Sequence, residues 1–113
     1  MSKESRRKRR RRPQQPITVV DSMTGALIGK VIDLSETGMM VHTSSPIRQD
    51  TLYQCELRFA DDYEMGDPIS VGCHELWCDT SLMDGVSTVG FRFIDISQTD
   101  RTRIATWVNA SPS

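Results

Sequence analysis

The chain has 113 residues, enough for one small domain with a modest core, and its formal charge of −1 hides a division. Residues 1–12 carry eight Lys or Arg against Glu4, whereas residues 13–113 hold six basic and fourteen acidic side chains, so a broad nucleic-acid-binding face is excluded and the basic tail points at something anionic. Three cysteines, Cys55, Cys73 and Cys78, follow no framework spacing, and no apolar run approaches the roughly 20 residues of a membrane span; disulfides, a secretory leader and membrane insertion are not expected, and a cytoplasmic location is.

Residues 1–16 hold Ser, Lys, Arg, Gln and two prolines and almost nothing that packs, which predicts a flexible arm. Strand patterns begin at Ile17. Segments 17–21 and 27–32 flank Ser22-Met23-Thr24-Gly25, a hairpin-turn sequence. The stretch Asp33-Leu34-Ser35-Glu36-Thr37-Gly38 then leads into 39–43 as a tight turn. In it the short acceptors Asp33 and Ser35 are expected to face solvent or a ligand, and Gly38 to supply positive φ and a close approach to the main chain. After Pro46, segment 51–59 alternates, with Tyr53, Cys55, Leu57 and Phe59 on the buried side and Gln54, Glu56 and Arg58 on the wet one.

The acidic stretch 60–68, with Gly66 and Pro68, reads as a loop. Segments 69–78 and 87–95 are the last two strands, joined by an exposed turn, and alternation puts Trp77 on the face of Val71 and Cys73. Ser97, with Asp100 three positions on, caps a helix whose apolar stripe is Ile104, Trp107 and Val108, a lid over one end of the strands. Six short strands joined by turns, without crossover helices, predict an all-β fold: a six-stranded antiparallel barrel over 17–97, preceded by the arm (1–16) and followed by a short C-terminal α-helix and tail (98–113).

Little in the chain suggests chemistry. Cys73 and Cys78 with His74 do not form a metal set, because residues five apart on a strand point to opposite faces and no second ligand pair exists. Gly25 to Lys30 is one residue short of a P-loop, lacks the following Ser or Thr and runs into a strand. With two histidines, no Gly-x-Ser-x-Gly and no carboxylate pair at an acid–base spacing, no catalytic residue, metal or cofactor is expected, and the protein is not expected to be an enzyme.

Two features separated by one hairpin carry a resemblance. The run from Arg6 to Arg12 contains an Arg-x-x-x-Arg framed by Arg7 and Arg11 with Pro13 close behind, and Asp33-x-Ser35-x-x-Gly38 follows. Together they resemble the PilZ family of bacterial cyclic di-GMP receptors. Val89-Gly90-Phe91-Arg92-Phe93-Ile94-Asp95 looks like that family's last strand, and Trp77 falls where the strand before it often ends in Trp, so the resemblance covers residues 6–110. It implies a PilZ-type β-barrel and cyclic di-GMP as ligand, bound by Arg6, Arg7, Arg11, Asp33, Ser35 and Gly38, with Trp77 either stacking on a guanine or belonging to the core.

Arginine suits such a ligand because its planar fork pairs with guanine O6 and N7 or with phosphate and stacks on a base. The surplus of arginine also permits the frame Arg6 with Arg10; Arg7 with Arg11 is preferred for its spacing to Pro13 and Asp33. The resemblance further implies an adaptor, in which ligand orders the arm against the barrel and changes the surface shown to an unidentified downstream protein, without DNA or RNA. A reading of another class is general nucleic-acid or polyanion binding through the tail, which would tolerate changes at Asp33 and Ser35 and weaken steeply with salt.

Overall fold

Alternating segments become six strands and one helix in the computed structural model, which describes residues 9–81 and 84–110. They are β1 (Ile17–Asp21), β2 (Leu27–Leu34), β3 (Gly38–Thr43), β4 (Leu52–Phe59), β5 (Ile69–Thr80), β6 (Ser87–Asp95) and α1 (Gln98–Asn109). All neighbours are antiparallel, in the order β1-β2-β3-β6-β5-β4, and β4 pairs back onto β1 to close a barrel. Closure leaves no strand edge open to another chain, the usual hazard of a small sheet. β2 and β5 each run two residues further than alternation predicts.

Inward residues fill the barrel. Cys55 and Leu57 of β4 share one buried core with Ile17, Val19, Ile69, Val71, Val89 and Phe91. Cys55 and Cys73 are free thiols with sulfurs 3.7 Å apart; their hydrogen bond, with burial, pushes the Cys73 thiol well above its ordinary value.

One end of the barrel is plugged by α1. Ser97 accepts from the Asp100 amide at 3.0 Å, satisfying one otherwise orphaned donor of the first turn. The predicted stripe Ile104, Trp107 and Val108 is buried. Trp107 packs edge-on against Phe59 and Tyr63, with ring centroids 5.6 and 5.4 Å away, while Arg103 donates to the carbonyls of Met65 and Asp67. Tyr63 sits in a single 3-10 turn, Asp61–Tyr63, where the sequence reads as loop. The turn has no buried residue, and Tyr63's ring contacts all come from elsewhere: Phe59, Trp107 and, in the arm, Arg11.

Two β-bulges decide which side chains reach the outside. Between β2 and β3 the register steps from Val31↔Val41 to Asp33↔Met40, so Ile32 is extra and the alternation changes phase. Val31 and Leu34, three apart, therefore both face the core, and Asp33 between them turns outward. Between β5 and β6 the step from Glu75↔Phe91 to Trp77↔Gly90 makes Leu76 extra. Glu75 is buried and Trp77 is 43% exposed, so alternation, which groups Trp77 with Val71 and Cys73, is corrected here: the indole is not core.

Candidate ligand-binding groove

The turn after β2 is built around its serine. Ser35 Oγ accepts from the amides of Thr37 and Gly38, both at 3.2 Å, and lies within hydrogen-bond distance of Thr37 Oγ1 and the Gly38 carbonyl. Ser35 is fully buried, contrary to the expectation that it faces outward; its hydroxyl is occupied in closing the turn. Gly38 also works differently from the expectation. It is not among the positive-φ glycines, and the demand on it is space: a Cβ there would stand 2.4 Å from the Phe91 carbonyl oxygen of β6.

Asp33 does turn outward, to 15% side-chain exposure, and its Oδ2 pairs with Arg10 Nε at 3.0 Å. That contact occupies one donor of the guanidinium and leaves the terminal nitrogens, the fork that recognises phosphate or a guanine edge, without a partner among the described residues. Arg11 runs the other way. Its backbone exchanges both hydrogen bonds with Leu34, at 2.9 and 3.0 Å; its guanidinium lies 4.1 Å from the Trp107 ring centroid and donates to the Trp107 carbonyl at 2.7 Å. Successive residues of an extended segment point to opposite sides, so Arg10 and Arg11 cannot both face Asp33. Arg6 and Arg7 lie outside the described residues.

The second half of the arm is held down. Besides the Arg11 bridge, the Gln14 and Gln15 amides donate to the Tyr63 hydroxyl at 2.9 and 2.8 Å. A composition poor in apolar residues predicts a loose segment, but residues 9–16 are tied by backbone groups and by cationic contact with aromatic rings, neither of which hydropathy measures.

Arg10 borders a groove of about 360 Å³ that runs over Thr37 to Met40 of the turn and β3, Gly90, Phe91 and Arg92 of β6, and Leu76 and Trp77 of β5. The Trp77 indole lies over Gly90, its cross-strand partner, so closely that a Cβ at Gly90 would stand 2.3 Å from Trp77 Nε1. Gly90→Ala is therefore expected to keep the fold, since the flexible indole moves more easily than the barrel, but to lift Trp77 away. Iodide should then quench tryptophan emission more strongly than in the unaltered protein; equal quenching would mean that Gly90 does not seat the ring. Two larger hollows, each about 560 Å³, lie beside Arg101 and Asn109 of α1 and between residues 13–16 and β2. Neither is lined by Asp33 or Trp77, and His42 faces the second of them rather than the groove.

Of the residues expected at the site, the structure puts Gly38 and Trp77 on one groove, joins Asp33 to it through Arg10, and sends the Ser35 and Arg11 side chains elsewhere. Arg10 and Arg92 were not selected. The first was visible as the alternative arginine frame, the second as the outward position beside Gly90 in a strand whose Val89, Phe91 and Phe93 point in.

The PilZ domain model matches residues 4–110. The chain belongs to the PilZ family. Solved PilZ-like structures share the fold at low identity. The PilZ domain of YcgR from Escherichia coli, solved with c-di-GMP, is 16% identical with a TM-score of 0.70, over 92% of this chain and 88% of that one. The Bacillus subtilis inhibitor of motility MotI (DgrA) has 8% identity and a TM-score of 0.72 over 91% of this chain and 49% of its own. MrkH of K. pneumonia, in a complex with c-di-GMP, has 18% identity and a TM-score of 0.69 over 88% and 49%. This PilZ chain spans about half the length of the MotI and MrkH chains. No curated protein matches it. Among the described residues, no helix of this PilZ domain is long and apolar enough to cross a membrane, and no cluster of three potential metal ligands occurs.

Proposed function

We propose that this PilZ protein is a receptor for cyclic di-GMP, bound across the groove between Arg10 and Trp77. The observation that carries the reading is the Arg10–Asp33 pair at 3.0 Å: the aspartate of the turn motif holds an arginine of the tail by Nε and leaves its fork for a phosphate or guanine edge. The solved relatives whose names include c-di-GMP add support. The ligand-binding arginine frame is then Arg6 with Arg10, because Arg11 is committed to Trp107. Asp33 orients Arg10, Ser35 and Gly38 keep the turn shut against β6, and the exposed face of Trp77 stacks on a base.

The output follows from the same segment. Arg10 faces the groove while Arg11, the next residue, touches Trp107 near the end of α1, so ligand drawn against Arg10 alters the arm and the helix end together and changes the surface offered to a downstream protein. Calorimetric titration with cyclic di-GMP beside GMP and cyclic di-AMP tests the reading. Saturable binding of cyclic di-GMP alone is expected. Equal binding of all three, steeply weakened by salt, would instead make the tail a general polyanion binder.

A further inference from the structure

Among the basic residues of the acidic body, Arg92 is the one that lines the groove beside Trp77. Arg58 pairs with Glu56, Arg103 with Asp100 and two carbonyls, and Arg101 reaches the Glu36 carbonyl, whereas Arg92 has no polar partner among the described residues. It is exposed on β6, directly across from Gly38, and lines the groove together with Arg10 and Trp77. Nearby acceptors do not engage it: its other cross-strand neighbour, His74, is taken by Asp50 at 2.6 Å. An arginine left unmated in a body with an excess of carboxylates, on the wall of a groove, has its donors available for something that enters the groove.

Position selects which part of a ligand it meets. Arg92 and Gly90 share the outer face of β6, two residues or about 7 Å apart, and the Trp77 indole covers Gly90. A purine stacked on that indole presents its edge along the strand toward Arg92. The planar fork matches the paired acceptors O6 and N7 of guanine, whereas adenine puts an N6 amino donor where O6 would be and repels one prong. We infer that Arg92 is a specificity-determining residue that reads the O6/N7 edge of a guanine stacked on Trp77, leaving Arg10 to the phosphate side. This rests on the receptor reading above and goes beyond it by assigning base choice to a residue outside the arm and the turn.

The test titrates the unaltered chain, Arg92→Met and Arg92→Lys with cyclic di-GMP and, by displacement of a fluorescent cyclic di-GMP analogue, with cyclic di-AMP. Methionine keeps an unbranched apolar stem and removes the fork; lysine keeps the charge without the planar pair. Arg92→Met is expected to weaken cyclic di-GMP about tenfold or more and to change cyclic di-AMP less than about twofold, with Arg92→Lys recovering at most part of the loss. Affinity for cyclic di-GMP unchanged in Arg92→Met would overturn the inference while leaving the receptor reading intact. Equal losses for both ligands, or full recovery with lysine, would reduce Arg92 to a bulk positive charge and overturn it as well. Failure of the unaltered chain to bind cyclic di-GMP would remove the receptor reading and this inference together.

Discussion

Arg10→Ala is expected to weaken cyclic di-GMP binding by roughly 30- to 1,000-fold, about 2–4 kcal/mol, without lowering the melting temperature by more than a few degrees. The size follows from losing two charge-assisted hydrogen bonds at the rim of the groove. Arg10 is itself 43% exposed in its side chain and its pair with Asp33 is its one polar contact among the described residues, so the cost to the barrel is confined to leaving the Asp33 carboxylate, 15% exposed, without that partner, about 1 kcal/mol. Arg10→Lys should restore only a small part, since an ammonium has no planar fork. Arg11→Met provides the contrast: it keeps an apolar stem on Trp107 and is expected to lower stability more than affinity. Calorimetry on the three variants separates the two arginine frames. Strong loss of binding in Arg11→Met with unchanged affinity in Arg10→Ala would restore the Arg7–Arg11 frame.

Trp107→Ala is expected to have the largest effect on folding, about 3–5 kcal/mol, lowering the melting temperature on the order of 10–25 °C. Trp107 is 4% exposed and touches Phe59, Tyr63 and the Arg11 guanidinium, so truncation opens a cavity between α1, the 3-10 turn and the arm at once. Because the Arg11 ring contact is also lost, protection of the Arg11 and Leu34 amides from hydrogen exchange should fall further than protection in β4. A destabilisation under about 1 kcal/mol in a thermal melt would mean that α1 does not plug the barrel.

The strands were legible because each rests on its own alternation: Cys55 and Leu57 inward with Gln54 and Arg58 outward is a local pattern, readable without knowing the neighbours. The cap of α1 was legible for the same reason, Ser97 and the Asp100 amide being three residues apart. Alternation alone put Trp77 on the core side, leaving stacking and core both open, because alternation assumes an unbroken ladder. The extra Leu76 exists only relative to β6, and nothing between residues 69 and 80 announces it.

Ser35 and Gly38 illustrate a subtler gap between motif and role. Both belong to the turn that the sequence singles out, yet one acts by bonding the turn's own amides and the other by letting β6 pass close, so their motif positions were visible and their physical tasks were not. Tyr63 was invisible altogether, because a tyrosine in an acidic stretch gains its importance from the Gln14 and Gln15 amides 49 and 48 residues away.

By itself the order of residues determined the number of strands, their antiparallel connection by turns, the capped helix and the presence of a basic tail 22 to 26 residues ahead of an acidic turn, all properties of short segments or of composition. Only the closed barrel decided which arginine meets Asp33, which way Trp77 faces and that Arg92 shares their groove. Those outcomes depend on register between strands and on which of two successive side chains an extended segment turns inward, quantities that a shift of one residue reverses.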